Sequence, residues 1–166
     1  LDLNTLEYKP AQKAMIPVVG IAKKIEIMDR RLQEMMASDE KSGHFVRDLL
    51  TGVMVYVANR VPEISDNIYS LDNAMKSGYA WSYGPFEYWD MIGIHNVVAL
   101  AAQTGEKVPG WVHEMISKGV TSFYKSEGGK RKYYDITSGD YKVIPGTERY
   151  IHLDNFRSNS PVYKNQ

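Results

Sequence analysis

Apolar positions fall into blocks with helical spacing along most of the chain, then change character near the C-terminus. Ile21, Ile25, Met28, Leu32 and Met35 recur at steps of four, three, four and three. That spacing predicts one helix over 19–37, with Lys23, Glu26, Arg30, Arg31 and Glu34 mostly on its far side. Ser38, Asp39 and Ser42-Gly43 break the pattern. From His44 to Arg60 the apolar residues Phe45, Val46, Leu49, Leu50, Val53, Met54, Tyr56 and Val57 cover more than half a helical circumference. Such a helix is expected to be central and buried on several sides. Gly52 in its interior costs about 1 kcal/mol against alanine, and close approach of a neighbouring helix is the expected compensation. Pro62 disfavours helical geometry just before it and ends this element near Arg60.

A shorter helix follows, with Ile68, Leu71 and Met75 inward, stopping at Gly78. Pro85 suits the first position of the next, where its missing N–H would be unpaired anyway. Glu87 sits in that first turn, at the positive end of the helix dipole. This helix runs to Ile92, and Gly93 turns the chain. Ile94 to Thr104 forms another, with Ile94, Val97, Val98 and Ala101 apolar, closed by Gly105. Pro109 precedes a last helix, Gly110 to Lys118, ended by Gly119. Beyond it Lys130–Ile136 and Tyr141–Ile144 are short, aromatic and β-branched, joined by Thr137-Ser138-Gly139-Asp140. These predict a β-hairpin with a four-residue loop. Leu1 to Pro17 reads as an extended connector, and the text from Pro145 onward is polar and irregular.

Composition adds exclusions. At 166 residues with 43% hydrophobic and 24% charged, the chain is ordinary globular material rather than disordered. Lys+Arg and Asp+Glu are both 20, so a strongly basic nucleic-acid binder is not expected. The balance hides an asymmetry: net −4 over the first 117 residues and net +4 from Lys118 onward. Cysteine is absent, which excludes disulfide frameworks, thiolate zinc sites and a cysteine nucleophile. No apolar run approaches the ~18 residues of a membrane span. The N-terminus is no signal peptide and lacks an initiator methionine, so the chain reads as a fragment of something longer.

Familiar catalytic motifs are missing. No G-x-G-x-x-G follows a strand, no Walker A sequence occurs, and no G-x-S-x-G elbow is present. His44, His95, His113 and His152 are far apart, without metal-ligand spacing. Three features invite a functional reading. Glu87 and Asp90 stand three apart on a helix, as an acid pair would; a first-turn glutamate stabilising the dipole and a capping or packing aspartate explain them better. Tyr79, Trp81, Tyr83, Phe86, Tyr88 and Trp89 could line a flat ligand; a core corner between two helices is the favoured reading. Gly128-Gly129-Lys130-Arg131-Lys132-Tyr133-Tyr134 could meet a phosphate, but lysines protecting a hairpin edge account for it as well.

Two adjoining segments carry a resemblance. Asp72-Asn73-Ala74-Met75-Lys76-x-Gly78, then Gly84-Pro85-Phe86-Glu87-x-x-Asp90-x-x-Gly93, resemble the signature of the C-terminal helical domain of 3-hydroxyacyl-CoA dehydrogenases. The likeness is strongest over 43–93 and looser at both ends. Gly43-His44-Phe45-Val46-Arg47-Asp48 lies where that family opens its central helix. The family asparagine that reaches the active site falls on Arg47, and the arginine after it on Asp48; Asn59-Arg60 lies too close to Asp72 to replace them. This departure implies a second copy of the helical domain, in an enzyme that carries two. Leu1-Asp2-Leu3-x-Thr5-Leu6-Glu7-Tyr8 resembles the connector into that copy. Pro161-Val162-Tyr163-Lys164-Asn165 resembles the segment before an enoyl-CoA hydratase domain.

The resemblance implies a mainly α fold of the 3-hydroxyacyl-CoA dehydrogenase C-terminal type, 6-phosphogluconate dehydrogenase C-terminal-like, with the β-hairpin as an appendage. Its divisions would be a connector (1–18), a helical domain (19–119) and a hairpin with linker (120–166). The parent would oxidise 3-hydroxyacyl-CoA with NAD in fatty acid β-oxidation, in the cytoplasm. The catalytic dyad and the NAD site would lie outside this chain. No catalytic, cofactor or metal residue is expected here, and Gly43, Asp72, Ala74, Met75, Gly78, Gly84, Pro85, Phe86, Glu87, Asp90 and Gly93 are structural expectations. Expected partners are the first helical repeat, the Rossmann domain and a hydratase domain of the same chain, or a second copy when isolated. Two rival readings are a free-standing interaction module and an acyl-CoA-binding domain using Lys130, Arg131 and Lys132.

Overall fold

The computed structural model describes residues 1–10 and 15–147. Among them seven helices precede three strands: α1 (Pro17–Ala22), α2 (Met28–Ala37), α3 (Lys41–Asn59), α4 (Ile68–Tyr79), α5 (Pro85–Ile92), α6 (Ile94–Thr104), α7 (Gly110–Ser117), β1 (Tyr124–Glu127), β2 (Lys130–Asp135) and β3 (Asp140–Val143). The strands form one antiparallel sheet in the order β1-β2-β3. The mainly helical fold with a C-terminal hairpin is as expected. The segment Pro161–Asn165 lies outside the described residues.

The block at 19–37 is two helices rather than one. The chain leaves helical geometry between Ala22 and Met28, where the Arg31 guanidinium takes the carbonyl of Ile25 through Nε at 2.8 Å and Nη2 at 2.5 Å. A carbonyl held by a side chain is lost to the helical ladder, and the β-branched Ile25 and Ile27 favour the break. The buried positions are therefore Val18, Ala22, Leu32 and Met36, while Ile21 is exposed.

α3 packs between α2, α5 and α6 and buries Gly43, Thr51, Met54, Val55 and Ala58. It is not buried on all sides: Phe45, Leu49 and Tyr56 face outward. Nor does a neighbouring helix press on Gly52, where a Cβ would meet only a Glu106 carboxylate oxygen, at 3.8 Å. α4 begins at Asn67, whose side chain accepts the Ser70 N–H at 2.9 Å. It runs past Gly78 and ends at Ala80, whose φ of +55° is left-handed. Gly78 is thus inside the helix and not its terminator.

The sheet has one strand more than the hairpin expected. Gly128 and Gly129 both take positive φ, the geometry of a two-residue hairpin turn, and pair Glu127 with Lys130. Asp135 then pairs with Asp140 across the second turn, where its carboxylate accepts the N–H and hydroxyl of Ser138. The bundle core is continuous with the sheet. Phe86 and Trp89 of α5, Trp111 of α7 and Phe123 meet with ring centroids 5.0–6.5 Å apart. Such pairs contribute about 0.5–1.5 kcal/mol beyond the area they bury.

Gly43 tests the α2–α3 corner. A Cβ on it would lie 2.1 Å from the Ser38 carbonyl oxygen, so the corner must open to admit one. Gly43→Ala is expected to cost about 1–3 kcal/mol, read as a lower urea midpoint. An unchanged midpoint would show that the corner is not tightly packed.

Candidate functional site

The first turn of α5 is the meeting point of the signature residues. Its N-cap, Gly84, has no side chain to satisfy the amides that every helix leaves open at its start. Asp72, in the middle of α4, does so from outside: its two oxygens accept the N–H groups of Phe86 at 2.9 Å and Glu87 at 3.1 Å. The carboxylate also sits at the positive end of the α5 dipole. A Cβ on Gly84 would lie 2.2 Å from the Asp72 Cβ and Cγ, so only glycine admits this approach.

Glu87 closes the same turn from within. One oxygen accepts the Gly84 N–H at 2.7 Å, the glutamate half of a capping box, while Asp72 stands in for the missing N-cap side chain. The other receives Lys76 at 3.1 Å and Arg131 at 2.7 Å. Arg131 lies over the ring of Tyr124, 4.6 Å from its centroid, and the Tyr124 hydroxyl donates to Asp72 at 2.8 Å. One turn further along α5, Asp90 accepts the N–H groups of Phe123 at 2.7 Å and Tyr124 at 2.9 Å. Three carboxylates thus tie α4, α5 and the start of the sheet together.

Burial pushes Asp72 up to about 7, against its bonds from Phe86 and Tyr124, and the charge of Glu87 adds to the rise. Burial likewise raises Asp90 to about 7, against the two backbone donors. Burial also works to raise Glu87, but the Gly84 amide and Arg131 outweigh it and hold that carboxyl below its ordinary value. Tyr124 is pushed upward by burial and by Asp72, so it stays a donor. Among the described residues no group of three His, Asp or Glu side chains is placed to hold a metal ion.

The remaining signature residues stand apart. Ala74 and Gly78 lie on the exposed side of α4, Met75 is half-buried, and nothing lies within 4 Å of a Cβ built on Gly78. Gly93, with φ +96°, joins α5 to α6. Pro85 and Phe86 are buried beneath the first turn of α5. Of the aromatic run, Phe86 and Trp89 are buried, Trp81, Tyr83 and Tyr88 half-buried, and Tyr79 exposed. The basic run does not act as one cluster: side chains alternate along a strand, Arg131 is taken by Glu87, and Lys132 pairs with Glu127 at 2.5 Å. Tyr124 was missed by sequence reasoning, because its partner Asp72 is 52 residues away.

Arg47 has a separate role. Its Nη1 donates to the carbonyls of Met36 and Ser38, at the C-terminal end of α2, and its Nη2 donates to Nδ1 of His44 at 2.8 Å. A cation on the last carbonyls of a helix is a favourable end cap.

Two substitutions separate the two kinds of signature glycine. Gly84→Ala forces Asp72 off the α5 amides and is expected to cost about 1–3 kcal/mol at least. Gly78→Ala, into open space within a helix, is expected to stabilise by about 0.5–1 kcal/mol. Chemical denaturation of both variants reads the difference; equal effects would refute it. A pH series tests the carboxylates. Asp72 and Asp90 titrate higher in the folded state than in the unfolded chain, so folding takes up protons between pH ~4 and ~7. Their contribution to stability therefore falls as pH rises through that window. Glu87 has the opposite sign: its contribution is present above its unfolded value and lost as pH falls. In Asp90→Asn the decline between pH ~4 and ~7 is expected to be shallower than in the unaltered chain; parallel curves would count against the raised value.

The chain is 33% identical over 162 residues to the Bacillus subtilis protein named "Probable 3-hydroxyacyl-CoA dehydrogenase", covering 98% of this chain and 20% of that protein. It is 38% identical over 87 residues to a "fatty acid oxidation complex trifunctional enzyme" of Rickettsia felis, covering 52% of this chain and 11% of the relative. The corresponding protein of Rickettsia prowazekii is 33% identical over 87 residues, with the same coverage of 52% and 11%. The chain thus spans no more than about a fifth of the length of these relatives. No protein-family model and no solved structure matches it. The resemblance carried by Asp72 to Gly93 is borne out: along nearly all of its own length this chain is similar to a fifth of a protein named as a 3-hydroxyacyl-CoA dehydrogenase.

Proposed function

We propose that this chain is the second helical repeat of a longer 3-hydroxyacyl-CoA dehydrogenase, and that it is structural and interdomain rather than catalytic. The longer protein would oxidise 3-hydroxyacyl-CoA to 3-oxoacyl-CoA with NAD, in cytoplasmic fatty acid oxidation. Its first helical repeat, Rossmann domain and enoyl-CoA hydratase domain would be the partners of this chain, and a second copy would take the first repeat's place when the chain is alone. The relatives named for trifunctional activity support further domains in the same polypeptide. No helix among the described residues is long and apolar enough to cross a membrane.

The observation that carries the reading is the use made of the acidic signature. Both oxygens of Asp72, Glu87 and Asp90 are engaged by backbone amides, Tyr124, Lys76 or Arg131. An acid pair whose oxygens are each held by donors of the fold supports a structural role rather than a catalytic one. Arg47, at the position of the family asparagine, is likewise committed to the end of α2. The residues present do not fit NAD either. A dinucleotide pyrophosphate is held where a strand runs through a glycine-rich turn into a helix. The described strands are joined only by antiparallel hairpin turns. No step of hydride transfer is therefore assigned to this chain.

The test is a rate assay of the isolated chain with NAD and 3-hydroxybutyryl-CoA. No NADH formation is expected at any pH between 6 and 9, on the order of ordinary assay conditions. Measured turnover would overturn the reading.

A further inference from the structure

One face of α4 and the sheet enclose a cavity of about 220 Å³. Tyr69, Asn73 and Lys76 follow at steps of four and three and form its helical wall. Tyr124 of β1 and Arg131 of β2 line it from the sheet, with Thr147 beside them. The volume is below the ~300–1,000 Å³ of a cofactor pocket, so it suits one small group.

The polar groups around this cavity are mostly donors. Lys76 and Arg131 both donate to a single oxygen, Glu87 Oε1, at 3.1 and 2.7 Å. One carboxylate thus answers two cations, which leaves positive charge in excess at the cavity. Its other oxygen holds the Gly84 N–H. Lys76 keeps two further N–H groups, and Arg131 keeps its Nε and Nη1, with no other hydrogen-bond partner among the described residues. The Arg131 guanidinium lies over the Tyr124 ring, 4.6 Å from its centroid, which limits how its fork can turn. The side chains of Tyr69 and Asn73 make no hydrogen bond among the described residues. The Thr147 hydroxyl gives its proton to the Ile144 carbonyl at 2.6 Å. Asp72 does not line the cavity; its oxygens are held by the α5 amides and by the Tyr124 hydroxyl. A small cavity with donors to spare, two of them cations that meet at one oxygen, selects an acceptor-rich anion. Within the basic run 130–132 only Arg131 lines this cavity, and the cation beside it comes from α4.

We propose that this cavity binds a tetrahedral phosphate group, with Lys76 and Arg131 donating to its oxygens and Asn73 adding a neutral donor from α4. The same chemistry serves inorganic phosphate and the phosphate of an organic ester. Binding is measured without any enzyme assay, so its failure leaves the dehydrogenase reading untouched.

Titration calorimetry of the 166-residue chain with inorganic phosphate, at pH ~7.5 and constant ionic strength, is expected to show one site with a dissociation constant on the order of 1 mM. Sulfate should bind within about tenfold of phosphate, and acetate, with one charge and two oxygens, at least about tenfold more weakly. Lys76→Gln should weaken phosphate binding by more than about tenfold, and Lys76→Arg should restore most of it. Asn73→Ala should weaken binding by about threefold while raising the thermal midpoint measured without phosphate, because alanine is the better helix former. That opposite movement separates a lost donor from a folding defect. Phenyl phosphate distinguishes the two sources. Binding at least as tight as inorganic phosphate assigns the group to an ester, weaker binding assigns the free anion, and both results uphold the site. The proposal is overturned by the absence of saturable phosphate binding up to ~50 mM, by binding that Lys76→Gln leaves unchanged, or by acetate binding as tightly as phosphate.

Discussion

The open amides at the start of α5 are satisfied by a carboxylate on another helix, and the rest of the architecture is arranged around that contact. Asp72 can reach Phe86 and Glu87 only because Gly84 has no Cβ, and it stays in place because Tyr124 donates to it. Tyr124 in turn is held by Asp90 through its backbone and by Arg131 over its ring. Removing one member leaves a donor or a carboxylate oxygen unpaired, at a cost of about 1–3 kcal/mol in comparable cases. The helical bundle and the sheet are therefore one packed unit at this point, although they look like separate text in the sequence.

The same contact explains why an acidic motif need not be a catalytic one. Glu87 and Asp90 have the spacing of an acid pair, and burial does raise Asp90 to about 7, a value that suits proton transfer. Geometry decides against it, since both oxygens of each residue already hold donors from the fold. Raised values here are the cost of taking carboxylates out of water to fasten a sheet to a helix. Arg47 shows the same commitment elsewhere: it satisfies the final carbonyls of α2. Exposed apolar side chains lie apart from this contact, along α3 and beside α2.

Much of the helical framework was legible from the chain alone. Pro85–Ile92 and Ile94–Thr104 form with the bounds expected, because proline, first-turn glutamate and glycine punctuate them locally. Where the reading failed, a distant or side-chain contact had overruled a local period. The single helix over 19–37 breaks because Arg31 captures the Ile25 carbonyl. Burial of α3 was overestimated because apolar residues all round a helix do not say which neighbours are present to cover them. β1 escaped notice although Gly128-Gly129 is a recognised hairpin signal, since Tyr-Lys-Ser-Glu carries little strand propensity.

By itself the amino-acid order determined the limits of most helices, the turn to a β-structure after Gly119, and a likeness to a family of dehydrogenases. These rest on periodicity, on backbone-restricting residues and on a motif, all of which act over a few neighbouring positions. Tertiary structure decided what the motif residues do. Asp72 and Tyr124 are 52 residues apart, and Glu87 and Arg131 are 44 apart. Hydrogen bonds of that reach depend on how α4, α5 and the sheet come together, which no local pattern encodes.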